Sequence, residues 1–233
     1  MNNIITSLWV GDKLNSLARL SIKSFLDNGY DFHLYVYNDL PNIPDGCIIK
    51  DANSIIPQNQ IFYVLNGHHK SLANFSDIWR FTFLYDHGGI WTDLDNVILK
   101  RVEFPLLYQS GSPAIMSYPK KYRQLRTILS KIQTDISIIK FRFGHLTSFY
   151  LQNFKELKPS NFNYTYHLEN FRTIFDLYNG IIKLSDLPKH VYLIHMYNEK
   201  VNCYYKNLNL LKHQSLFSEL MNKYLPDDNE FIV

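Results

Sequence analysis

Two acids two residues apart, Asp93 and Asp95, are the side chains of this sequence with the clearest chemical use. In extended backbone such a pair points to one side, so both carboxylates can hold one hard divalent cation, directly or through water. A second pair, Asp77 and Arg80, is three residues apart. On a helix that spacing shares a face, as a local ion pair or as an acceptor and a cation offered jointly to a polar ligand. Each pair taken alone also fits an ordinary solvated pair. Position distinguishes Asp93 and Asp95: they end the apolar run Ile90-Trp91-Thr92, which follows a helical segment and the double glycine Gly88-Gly89. Ligand sites in open α/β sheets lie at the carboxyl ends of strands. Weaker candidates are His68-His69-Lys70, which could meet a phosphate or form a solvated loop, with Lys70 nearest to the Asp77 segment.

The elements that must position these residues are readable in the first half of the chain. Asn3 to Val10 is a β-branched and aromatic run ended by Gly11-Asp12, and Leu14 to Leu26 carries apolar residues at helical spacing until Asn28-Gly29 stops it. Phe32 to Tyr37 reads as a second strand and Cys47-Ile48-Ile49 as a third, so the chain opens with a β-α-β unit and a parallel strand pair. Between Ser71 and Asp86, Leu72, Phe75, Trp79 and Phe83 share a helical face, with Gly88-Gly89 as the stop. The strand at Ile90-Trp91-Thr92 and another at 113–117 should lie inside the sheet. Beyond them, 122–132, 146–157 and 161–178 read as helices, 191–197 as a strand and 215–224 as a terminal helix. No repeat and no linker divides the chain, so residues 1–233 read as one α/β domain with a loose tail from about 226.

Composition narrows the classes. The 233 residues are 46% hydrophobic and 19% charged, which suits a folded core and excludes a disordered chain. A net charge of +3 without a basic arm argues against nucleic acid as a partner. No apolar stretch approaches the roughly 20 residues that span a bilayer, and no signal-peptide pattern opens the chain, so a cytoplasmic protein is expected. Cys47 and Cys203 lack metal-type spacing and read as buried thiols. Dinucleotide, serine-hydrolase and P-loop motifs are absent.

With these residues in view, the sequence resembles the glycosyltransferases with the DXD sugar-binding motif, which include bacterial capsule and lipooligosaccharide sugar transferases, fungal mannosyltransferases and, more distantly, clostridial glucosylating toxins. The family pattern S-D-x-x-R, then L-Y-x-x-G-G-I-Y-x-D-x-D, is met by Ser76-Asp77-Ile78-Trp79-Arg80, by Leu84-Tyr85-Asp86-His87-Gly88-Gly89-Ile90 and by Asp93-Leu94-Asp95, with Trp91 where tyrosine is usual. Leu8-Trp9-Val10-Gly11 resembles the end of the family's first strand. The resemblance implies a single-domain GT-A fold, Rossmann-like, with a mostly parallel central sheet flanked by helices. It implies that Asp95 binds manganese or magnesium bridging the donor diphosphate and that Asp93 contacts the ribose or sugar while supporting that metal. Asp77 and Arg80 would hold sugar hydroxyls, and Gly88-Gly89 would let backbone approach the ligand. Leu8 and Trp9 are donor-site candidates, Trp9 by stacking on the base. His195 could coordinate the metal or donate to the diphosphate, with Asn198 as a further oxygen ligand, and Tyr118, Tyr122, Tyr164 and Tyr166 fall in the region that shapes an acceptor pocket.

A nucleoside diphosphate leaves with negative charge developing on its β-phosphate, which a clamped Lewis acid stabilises. The expected activity is metal-dependent transfer of a hexose from a nucleotide-sugar, a UDP-sugar first, to a hydroxyl of a glycan or glycolipid, with retention of configuration and peripheral membrane contact allowed. An inverting enzyme would need a carboxylate base, for which Asp176 and Asp186 are open. Two other readings remain: a metal-dependent phosphohydrolase or nucleotidyltransferase, and a nucleotide-sugar-binding scaffold without turnover.

Overall fold

The computed structural model describes residues 3–109, 114–140, 165–166, 180–198 and 214–228. Strand β1 (Ile4–Trp9) is followed by helix α1 (Ser16–Asp27), and β2 (Asp31–Val36) and β3 (Ile48–Asp51) complete the opening unit. Asn15 starts α1 by accepting a hydrogen bond from the Ala18 N–H at 2.8 Å. Gly29, at φ 80°, turns the chain out of the helix into β2. After β3 come a two-stranded hairpin, β4 (Val64–Asn66) with β5 (His69–Ser71), then helix α2 (Ala73–His87) and strand β6 (Gly89–Thr92). Next are β7 (Asn96–Ile98), β8 (Tyr108–Gln109), β9 (Ile115–Tyr118) and helix α3 (Arg123–Ile139). Last are β10 (Thr165–Tyr166), β11 (Leu193–His195) and helix α4 (Leu216–Tyr224).

Six strands form the central sheet in the order β3-β2-β1-β6-β9-β8. The pairs β3–β2, β2–β1 and β1–β6 are parallel, whereas β6–β9 and β9–β8 are antiparallel. This is the α/β sheet, mostly parallel and flanked by helices, expected of a GT-A fold. Both β6 and β9 are interior, as their apolar runs require. Strand alternation divides the core: Ile5, Phe32, Leu34 and Ile90 pack with α1 residues such as Ala18, Ile22 and Phe25, whereas Leu8, Trp91, Met116 and Tyr118 pack with α2 and α3. A third cluster joins α1 to α4 through Leu17, Leu20, Phe217 and Leu220.

The structure differs from the sequence expectation at several points. The segment carrying His68-His69-Lys70 is a β-hairpin and not a plain loop, with Gly67 at φ 61° in its turn. The signal was present in Asn66-Gly67, a dipeptide suited to hairpin turns. Helix α3 runs beyond 132, to Ile139, because Ile132 and Ile139 continue its buried stripe. The strand expected over 191–197 is limited to Leu193–His195, and it pairs with β7 in a small separate sheet, β10-β11-β7. The helix expected at 146–157, together with Tyr164, Asp176 and Cys203, lies outside the described residues. Of 161–178 only the backbone of Thr165–Tyr166 is described, in β10. Cys47 is half-buried, and burial pushes its thiol up to about 12. Among the described residues no helix is long and apolar enough to cross a membrane.

Gly88 is where the fold tolerates no side chain. Its φ is 69°, and a Cβ there would stand 2.5 Å from the backbone nitrogen of Lys120 in the turn between β9 and α3. Gly88→Ala is expected to combine backbone strain with this clash and to lower unfolding free energy by about 2 kcal/mol or more. Urea denaturation followed by circular dichroism checks it through a shifted midpoint.

Candidate active site

The carboxyl ends of β1 and β6 lie side by side and open into a cleft of about 340 Å3. Leu8 and Trp9 line it from β1, Lys70 and Ser71 from the hairpin, Ser76 and Arg80 from α2, and Asp93 and Asp95 from the turn after β6. Asn15 and Asn198 close another side. The sequence candidates Leu8, Trp9, Lys70, Arg80, Asp93, Asp95 and Asn198 therefore converge.

Arg80 organises the acids. Its side chain is only 6% exposed, and its Nη2 lies 2.9 Å from Asp77 Oδ1 and 3.1 Å from Asp93 Oδ1. Nη1 donates to Asp93 Oδ2 at 3.3 Å, so the guanidinium grips Asp93 through both oxygens. The Trp91 indole Nε1–H donates to Asp93 Oδ1 at 2.9 Å, and the Arg80 guanidinium stands 5.3 Å from the centre of the Trp91 ring. Burial opposes the Arg80 charge, but Asp93, Asp77 and Asp95 outweigh it and hold its pKa above the ordinary value. Asp77, 4% exposed, does not line the cleft. It backs Arg80 from behind.

The two acids of Asp-x-Asp have different surroundings. Burial raises the Asp93 carboxyl above the usual range; Arg80 works against the rise and the neighbouring Asp95 charge with it. With 28% of the Asp93 side chain open to the cleft, solvent moderates the effect. Asp95 is lowered: burial would raise it, but His195, the Asn198 N–H and Arg80 together prevail, so it stays ionised. Asp95 Oδ2 accepts from the Asn198 backbone N–H at 2.9 Å. Its Oδ1 lies 3.3 Å from His195 Nε2, short of hydrogen-bond alignment, and is buried without a hydrogen-bond donor.

That oxygen suits a cation. A hard divalent ion takes oxygen ligands and commonly uses one or two carboxylates, completed by water and substrate phosphates. Among the described residues no group of three or more His, Cys, Asp or Glu side chains is gathered as a metal site. His195, 6% exposed, and Asn198 stand behind the Asp95 carboxylate and steady it. Both oxygens of Asp93 are engaged by Arg80 and Trp91.

Other candidates fall elsewhere. Gly88 and Gly89 sit at the amino end of β6 and line a different cavity, where Gly88 makes room for the backbone of Lys120 and not for a ligand in this cleft. Tyr118 is 1% exposed and stacks on Tyr122 at 5.2 Å, so it is core. Asp186 is exposed and accepts from the Lys183 N–H, away from the cleft. Two supporting residues had no signal in the sequence. Asn96, fully buried, donates to Thr92 Oγ1 and the Ala114 carbonyl and so fixes the turn that carries both acids. Ser7 donates to the Thr92 carbonyl at 2.7 Å and ties β1 to the end of β6.

Residues 16–112 match a family model described as a glycosyltransferase sugar-binding region containing the DXD motif. The match includes Asp77, Arg80, Asp93 and Asp95, and it excludes Trp9, His195 and Asn198. No curated protein matches the chain in sequence. Among solved structures, the chain is similar to the PaToxG glycosyltransferase, with TM-score 0.46 and 14% identity over 67% of this chain and 68% of that one.

Replacing Arg80 leaves the buried Asp77 and the half-buried Asp93 without their shared cation. Arg80→Ala is expected to cost about 3 kcal/mol or more of stability, the scale of breaking a buried ion pair by removing one partner. Guanidinium denaturation of both chains measures the difference.

Proposed function

We propose, from the match of residues 16–112 to the sugar-binding region of the DXD-containing glycosyltransferases, a metal-dependent enzyme that moves a hexose from a UDP-sugar to a hydroxyl of a glycan or glycolipid with retention of configuration. The observation that carries this reading is the buried Asp95 Oδ1, without a hydrogen-bond donor, beside an Asp93 locked by Arg80 and Trp91. Residues 1–233 act in this reading as one domain.

Asp95 would hold manganese or magnesium, steadied by Asn198 and His195. When bound, that ion supplies Lewis-acid stabilisation of the charge on the leaving diphosphate. Trp9 stacks on the uracil at the end of β1. Asp93 meets the ribose or sugar with its orientation set by Arg80 and Trp91, and Arg80 contributes positive charge at the cleft floor. Lys70 lines the same cleft from the hairpin. In the transfer the bond from the sugar C1 to the phosphate oxygen breaks, a bond from C1 to the acceptor oxygen forms, and the acceptor proton passes to the leaving phosphate.

Calorimetry with UDP-, GDP- and CMP-sugars, each with manganese and with chelator, tests the reading. One UDP-sugar should bind only with the metal, and Asp95→Asn should weaken it by more than about 100-fold with the fold intact. Binding indifferent to chelator or to Asp95→Asn would overturn it. Trp91→Phe keeps an aromatic ring but removes the N–H to Asp93 together with one ring of the buried packing. It is expected to weaken donor binding by about tenfold, as for other groups that orient a ligand from behind, measured in the same titration.

A further inference from the structure

The β4–β5 hairpin presents two unlike faces. Val64 and Ser71, paired across the strands, are 2% and 3% exposed and seat the hairpin on the body of the protein. The next pair, Leu65 and Lys70, necessarily points the other way. Leu65 is 67% exposed, and Tyr63, two residues before it, is 51% exposed. Gly67 and His68 form the exposed tip. The outer face therefore carries an aliphatic side chain, a tyrosine and a lysine, and Lys70 also lines the cleft.

The chemistry around this face is one-sided. Residues 52–76 contain no Asp or Glu. A groove of about 330 Å3 is walled by Ile61, Phe62, Phe75 and Ile136 together with Asn59 and Gln60, and Lys140, held 5.6 Å from the centre of the Phe62 ring, is the charged side chain on it. Phe75 lines both groove and cleft, so only helix α2 separates them.

We propose that this hairpin docks the protein on a bilayer containing anionic lipid, with Leu65 and Tyr63 entering the interface and Lys70 at headgroup level. Exposed apolar side chains flanked by aromatic and cationic ones are what a lipid interface accepts, with the lysine stem lying along the apolar layer and its charge in the headgroups. A projecting hairpin with two exposed apolar side chains offers far less than the roughly 800 Å2 per partner of a standard protein interface. Docking in this way brings the cleft rim to the membrane. On the transferase reading, from which this consequence follows, the acceptor hydroxyl then belongs to a lipid-borne molecule and not to a soluble glycan.

Co-sedimentation with vesicles of phosphatidylcholine alone and with added phosphatidylglycerol tests it directly. The wild-type chain should be retained on the anionic vesicles, less so at high salt, and scarcely on neutral ones. Leu65→Glu and Tyr63→Ser, at exposed positions, should each weaken retention by about tenfold or more, while calorimetric donor binding in solution stays at the wild-type value. No retention of the wild type on anionic vesicles, or equal retention of Leu65→Glu, would overturn the docking proposal even with donor binding intact. Retention lost in both variants without any donor binding would uphold docking and sink only the transferase reading.

Discussion

The site depends on one buried guanidinium. Arg80 sits between Asp77 on its own helix and Asp93 on the turn after β6, and it is nearly inaccessible to water. Taking three charges out of water is costly, and the cost is recovered only when the geometry satisfies each of them. Arginine meets that demand where lysine would not, because its planar fork reaches Asp77 and both oxygens of Asp93 together. The Trp91 indole adds a further donor and a face against the cation. The result fixes α2 relative to the end of β6, and every cleft distance follows from that registration.

The same arrangement separates the duties of two acids that look alike in sequence. Asp93 spends its oxygens on Arg80 and Trp91, so it is a rigid wall of the cleft. Asp95 receives backbone support from Asn198 and the nearby His195, and keeps one oxygen without a donor. A pair at i and i+2 can share one side of a strand. Here the chain turns between them, and their roles diverge through what surrounds each one.

Much of this was legible before the structure. Periodicity located α1 and α2, and the apolar run 90–92 followed by two acids located the cleft, because a parallel sheet presents ligands at its strand ends. The placing of Asp77 behind Arg80 is not legible, because spacing says that the two share a face and not which of them stands in front. Gly88-Gly89 was misread for a similar reason: two glycines announce a close approach, but the approaching backbone, Lys120, is brought in by β9 from more than 25 residues onward. The hairpin was legible in Asn66-Gly67 and was obscured by the polar His68-His69-Lys70 that follows.

The partnership of Asp95 with residues 195–198 depends on pairing between distant segments. Strand β7 has three residues, too short for a periodic signal, and it gains its identity only by pairing antiparallel with β11, where Asn96 faces His195. That register sets Met196 N–H on the Asp95 carbonyl at 2.8 Å and Asn198 N–H on its carboxylate. A one-residue slip would turn His195 to the opposite face of the strand and remove it from Asp95. The register is held by the buried run Leu193, Ile194 and Met196 and by Asn96, whose side chain anchors the turn to Thr92 and Ala114. Pairing between distant segments thus decides that the second acid of the motif, and not the first, keeps an oxygen without a hydrogen-bond donor.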